Sequence, residues 1–286
     1  MSKNKRSGND VFSDGQSVGA GGHQTRNVMR DDFGLDIPTE LVPLPSNGKV
    51  YPVGSALHGK EALEIRPMTA REEDILTSRA LIKKGTVITE LIKSCLIDKT
   101  IDPNSMISGD RNAIMTSLRI TGYGSDYSAE VSCPACSEIS KQVFDLTQLP
   151  ITRLEEDPLN TGTNEFEMTL PRTQKKIRFK FLDGKDEQEI AKYTERSKKS
   201  GMRTSNLITL RYRYQILSVN DITDKTKIQF FIKNMPASDS RALRAHIDSI
   251  EPGISMKSWM DCNMCGEQSE VRMPLGASFF WPDAGS

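Results

Sequence analysis

The spacing of apolar residues divides this chain into short strands and helices of ordinary length. Leu63-Glu64-Ile65-Arg66 alternates apolar and polar side chains, which predicts a half-buried strand. Thr69 follows, with Glu72 three residues on, the pattern of a capping box at a helix start. Apolar positions at Ile75, Leu76, Leu81 and Ile82 carry that helix to Gly85. A second helix, about 87–97, places Ile88, Leu91, Ile92 and Cys95 on one face. A third begins after Asp110, carries Ile114 and Leu118, and ends at Gly122 and Gly124. Glu130-Val131-Ser132 and Lys141-Gln142-Val143-Phe144 read as strands. Upstream, residues 44–52 hold an Asn47-Gly48 turn between short extended pieces.

A similar succession follows a connector near Pro158 to Gly162. Residues 166–171 and 177–181 are the matching strands. Asp183 stands as N-cap where Thr69 stood, and Asp186 falls where Glu72 did. A helix then carries Leu207, Leu210, Tyr214 and Leu217, and a shorter one covers 227–235. A last helix starts at Pro236 with Ser238 and Asp239, carries Ala242, Leu243 and Ile247, and ends at Pro252-Gly253.

Between the strands of each half lies a Cys-x-x-Cys: Cys133-Pro-Ala-Cys136 and Cys262-Asn-Met-Cys265-Gly266. The two first cysteines are 129 residues apart (262 − 133), and the flanks match at that offset without a gap. Asp110 falls on Asp239, Ala113 on Ala242, Gly124 on Gly253, Glu138 on Glu267 and Leu146 on Leu275. This predicts an α+β protein of two pseudo-symmetric duplicated halves, 36–157 and 158–286, each with a CxxC knuckle hairpin. Two thiols two residues apart offer both sulfurs to one metal. Cys133, Cys136, Cys262 and Cys265 together are therefore expected to hold a single structural Zn²⁺. Redox chemistry is the rival reading, but a redox CxxC opens a helix, where the dipole lowers the thiol pKa. Both pairs here lie between strands. Lone Cys95, on an apolar helix face, reads as a small core residue.

Composition narrows the classes further. Of 286 residues, 36% are hydrophobic and 27% charged, with 38 basic against 38 acidic side chains. A neutral balance gives no general attraction to nucleic acid or an anionic membrane, and no apolar run reaches the length of a bilayer span. The start, Met1-Ser2-Lys3-Asn4-Lys5, leads into Gly, Ser and Asp and does not read as a signal peptide. Five cysteines without that signal point to reduced thiols and metal. Residues 1–35 are poor in large apolar side chains and read as a disordered tail able to dock on a partner.

No catalytic constellation emerges. His23, His58 and His246 show no ligand spacing, and Gly19 to Gly22 lacks the strand–turn–helix setting of a phosphate loop. The acidic runs at 72–74 and 186–187 sit in first helical turns, where the helix dipole favours them. Arg211-Tyr212-Arg213-Tyr214 interleaves basic and aromatic residues, but on a helix its tyrosines are expected to pack rather than stack on bases. The aromatic finish, Phe279-Phe280-Trp281-Pro282, is a core plug or a docking patch, with core ahead.

With residues 44–51, Arg66-Pro-Met-Thr69, Met235-Pro-Ala-Ser-Asp239, the two CxxC units and residues 279–282 in view, the chain resembles the baseplate hub and hub-assembly proteins of T-even-type contractile-tailed bacteriophages. The resemblance covers about 36–283. It implies a non-enzymatic structural or assembly component of the tail baseplate, made in the host cytoplasm, whose partners are other baseplate or hub proteins. The alternative from the residues is a zinc-ribbon nucleic-acid-binding regulator, which should carry a basic stripe that this neutral chain lacks.

Overall fold

The computed structural model describes residues 38–199, 206–273 and 277–280. The expected disordered tail, His23 and the Trp281-Pro282 end lie outside them. Strand β1, Glu40–Pro43, pairs antiparallel with β2, Ala62–Ile65. The Asn47-Gly48 turn is present, with φ of 50° and 70°, but it does not join two adjacent strands as a tight hairpin would. It opens the long connection between β1 and β2 instead. Gly48 is required there, because a Cβ would come within 2.4 Å of the Lys60 backbone nitrogen.

The helix expected to run from Thr69 to Gly85 is two helices, α1 (Ala70–Thr77) and α2 (Arg79–Lys84). Ser78 divides them. Its backbone is extended, its N–H donates to the Ile75 carbonyl, and its hydroxyl accepts from the Leu81 N–H. A short polar side chain can satisfy a new helix start, so the break costs little. Gly85 closes α2 in the left-handed conformation, as expected. Helix α3, Val87–Cys95, turns Leu91, Ile92 and Cys95 fully inward. Helix α4, Ser108–Tyr123, starts two residues before Asp110, so that residue lies in its first turn rather than ahead of it.

Strands β3 (Asp126–Ser132) and β4 (Ile139–Asp145) form an antiparallel pair. After the two-residue β5 (Ile151–Thr152) come β6 (Phe166–Thr169) and β7 (Lys176–Phe179), then α5 (Gly184–Lys199) and α6 (Leu207–Gln215). Leu217, expected on a helix, lies on β8 (Ile216–Val219), the third strand of a β6-β7-β8 sheet. Phe179 pairs with Ile216 across that sheet, and tertiary pairing of this kind overrides a helical apolar spacing. The chain closes with α7 (Lys225–Asn234), α8 (Ala237–Ile250), β9 (Gly253–Ile254), β10 (Lys257–Asp261), β11 (Gln268–Arg272) and a 3₁₀ turn, Ala277–Phe280.

One buried cluster runs from Val42 through Ile114 and Phe179 to Phe280, so early and late parts of the chain share a core. Phe279 and Phe280 are fully buried, which gives those two rings the core role. The Phe279 ring meets Tyr127 edge-on at 5.0 Å. Its carbonyl accepts from the Nε of Arg119, a buried cation whose remaining nitrogens donate to the carbonyls of Gly124 and Asp126. Each nitrogen of that guanidinium thus donates to a carbonyl, which offsets the cost of burying it.

Similar contacts recur in the earlier and later parts of the chain. Thr69 and Glu72 form the capping box of α1; Asp183 and Asp186 exchange equivalent bonds of 3.1 and 2.9 Å at the start of α5. Arg66 pairs with Glu72 at 2.6 Å, and Lys180 with Asp186 at 2.5 Å. The Arg66 N–H donates to the Cys95 carbonyl and the Lys180 N–H to the Gln215 carbonyl, both at 2.9 Å. The halves also touch directly. β5 pairs with β9, and Ser108 and Gly184 donate to the carbonyls of Leu182 and Met106.

Candidate metal centre

Each cysteine pair sits at the tip of an antiparallel pair of strands, the first on β3–β4 and the second on β10–β11. The two tips fold alike. The Cys133 N–H donates to the Glu138 carbonyl at 2.8 Å and the Cys262 N–H to the Glu267 carbonyl at 3.0 Å. The Ser137 N–H returns to the Cys133 carbonyl and the Gly266 N–H to the Cys262 carbonyl, both at 2.8 Å. Closing so tight a turn needs a left-handed residue after the second cysteine, at Ser137 (φ 64°) and Gly266 (φ 72°).

The first cysteine of each pair, Cys133 and Cys262, is buried, while Cys136 and Cys265 are exposed. All four sulfurs lie within 4.8 Å of one another. Across the two tips, Cys133 Sγ is 3.8 Å from Cys265 Sγ, and Cys136 Sγ is 3.6 Å from Cys262 Sγ. Sulfurs at the corners of a tetrahedron about 2.3 Å from a central ion lie about 3.8 Å apart. The spacing therefore suits a metal of zinc's radius. Backbone N–H groups of Cys265 and Met264 draw the Cys262 thiol down to about 7, favouring its thiolate. Cys136 is pushed up to about 12: the Glu138 N–H lowers it, but local desolvation and the three other thiols outweigh that bond. A cation among the sulfurs relieves the repulsion that keeps all four from ionising together.

The other candidates lie elsewhere. Cys95 is fully buried on α3, and burial, then the nearby Glu72 carboxylate, push its thiol up to about 12. It is a core residue, as expected. His58 Nδ1 lies 2.6 Å from the Tyr51 carbonyl. The half-buried His246 ring stands edge-on to Phe179 at 5.7 Å. Tyr212 is buried and donates to the Ser240 carbonyl, so in the Arg211–Tyr214 run this tyrosine packs. Arg211 pairs with Glu187.

Three buried carboxylates go beyond what the spacing suggests. Glu72 is fully enclosed rather than solvated; it receives Arg66, Ser94 and Thr69. Asp110 and Asp239 are also fully enclosed. Their match at the 129-residue step was the signal that marked the last two. A polar cavity of about 400 Å³ lies where Ser108 and Gly109 of α4 face Asp248, Glu251 and Gly253, bordered by the Glu187–Arg211 pair. Among the described residues, no helix is long and apolar enough to cross a membrane.

A family model described as T4 bacteriophage base plate protein matches residues 39–281. No curated protein and no solved structure matches the chain.

Proposed function

The chain belongs to the T4 bacteriophage base plate protein family, and from that premise we propose that it is a non-enzymatic structural or assembly component of the tail baseplate hub, clamped by one structural zinc ion. The observation that carries the clamp is the meeting of four thiols from two distant hairpins within 4.8 Å. Cys133, Cys136, Cys262 and Cys265 would supply all four ligands, leaving no open position for water or substrate. Such a metal serves stability. Structural zinc contributes on the order of 10–16 kcal/mol in zinc-finger peptides, comparable with the net stability of a whole domain.

We also infer that the two halves arose by duplication, with boundaries near 36–157 and 158–286. The recurring capping boxes, ion pairs and knuckle turns support this reading, because unrelated segments have no reason to repeat them in the same order along the chain. The metal then sits between corresponding tips and holds the halves in register. The partners are other baseplate or hub proteins, met in the host cytoplasm during assembly and in the tail of the virion. The neutral charge balance offers no electrostatic footing for nucleic acid.

Two measurements test this. Metal analysis of the purified chain should find one zinc per chain, lost alike in Cys133→Ser and Cys262→Ser, with faster hydrogen exchange in both halves of either variant. Two metals per chain, or loosening confined to the mutated half, would overturn the shared clamp. For the hub role, mass spectrometry should find the protein in virions or in hub assembly intermediates. Its absence from both would overturn that role.

A further inference from the structure

The same four thiols are arranged for a second kind of staple, and this inference rests on the metal reading above. The 129-residue step carries Cys133 onto Cys262 and Cys136 onto Cys265. Applied to the Cys133–Cys265 contact, it returns the Cys262–Cys136 contact, so the two are equivalent across the seam. Their distances, 3.8 and 3.6 Å, agree with that equivalence. Each thiol therefore has a partner on the opposite tip, and a modest side-chain rotation closes the gap to the ~2 Å of a disulfide bond.

We propose that oxidation of this centre converts the metal clamp into two cross-tip disulfides, Cys133–Cys265 and Cys136–Cys262, which keep the halves joined after the ion leaves. The oxidant is a peroxide. An exposed thiolate, Cys136 or Cys265, attacks one peroxide oxygen, and the O–O bond breaks to give a sulfenic acid and hydroxide. The buried partner thiolate on the other tip, Cys262 or Cys133, then attacks the sulfenic sulfur and displaces a second hydroxide. The two thiolates that form each disulfide thus give two electrons to one peroxide. Two peroxides oxidise the four thiolates, release one Zn²⁺ and yield four hydroxides, so charge and atoms balance. The exposure pattern suits this order: the second cysteine of each pair faces solvent, and its cross-tip partner is the buried first cysteine of the other. A bridge between the tips closes a loop of more than a hundred residues, where cross-linking restricts the unfolded chain most.

The test uses the full chain with its metal as purified. Hydrogen peroxide is added in steps, released zinc is read with a chromogenic chelator, and non-reduced digests are mapped by mass spectrometry. The peptide holding Cys133 and Cys136 should appear joined to the peptide holding Cys262 and Cys265, with zinc released at about two peroxides per ion. Partial reduction with differential alkylation should assign the two cross-tip pairs, and the thermal midpoint of the oxidised chain should exceed that of chelator-treated, reduced chain. Unlinked peptides carrying Cys133–Cys136 and Cys262–Cys265 bridges would overturn the proposal, as would sulfinic acids in place of disulfides. A chain that purifies without zinc yet forms the cross-tip bridges would overturn the metal reading alone.

Discussion

Asp110 and Asp239 hold the same place in helices α4 and α8, the third residue of each, and each ties down the turn that follows a strand. Asp110 accepts from the Ser46 N–H and hydroxyl and from the Tyr51 hydroxyl. Asp239 accepts from the N–H groups of Arg172 and Thr173. Their titrations differ in sign. Burial raises Asp110 above the usual carboxylate value despite its three donors, whereas at Asp239 burial is outweighed by Thr173 and Arg172, which hold it low. Asp110→Ala should cost about 3–5 kcal/mol and Asp239→Ala about 2–4, from the buried donors left unpaired. The pH slopes should also part. Stability linked to Asp110 is present at low pH and lost as pH rises through its raised value; that linked to Asp239 is present above about 3.8 and lost as pH falls. Urea unfolding of Asp110→Asn and Asp239→Asn, carried from below pH 3.8 up to pH 6, reads this, and parallel slopes would contradict it.

Glu72 predicts an acid-sensitive joint between α1 and α3. Burial alone would raise its pKa, but bonds from Arg66, Ser94 and Thr69 bring it down to about 2. A lowered carboxylate stabilises the fold above its unfolded value and loses that contribution as pH falls from about 4.5 toward 2. Glu72→Ala, which strands a nearly enclosed Arg66, should cost about 3–5 kcal/mol at pH 7. The penalty should shrink at pH 3. A penalty unchanged with pH would count against this account.

Glu251 works in the opposite direction. Burial, with Glu187 and Asp248 nearby, raises its carboxyl to about 7, although Arg211 and Arg272 pull it down. Its contribution is therefore complete below about 4.5 and lost as pH rises through about 7. Glu251→Gln should leave stability at pH 5 nearly unchanged and increase it at pH 8. Thermal melts at the two values measure this, and a variant less stable at pH 8 would refute it.

The knuckle turns offer a matched pair of substitutions. Gly266→Ala forces a Cβ into the left-handed region and should cost about 1–2 kcal/mol. Ser137→Gly relieves that same strain at the equivalent position and should be neutral or stabilising by a few tenths. Chemical denaturation of the zinc-loaded chain compares them. Equal losses in both variants would mean that the turns are not equivalent.

What the sequence determined by itself was everything carried by local chemistry or by repetition. The capping box at Thr69, the left-handed stop at Gly85 and the alternation at 63–66 depend on neighbours a few residues away, so they are legible in a window of that size. The 129-residue step marked both knuckles, and with them the four thiols, because matching residues at one offset make a distant relation visible in one dimension. Tertiary structure decided the rest. Leu217 joined a strand because β7 was there to pair with its neighbours Ile216 and Ser218, and Ser78 broke a helix whose apolar spacing continued through it. Glu72 looked like an ordinary first-turn acid until Arg66 and Ser94 closed over it. Above all, no spacing could say that the four sulfurs meet. That required both hairpins to be carried by one shared core and to face each other across it, bringing Cys136 within 3.6 Å of Cys262.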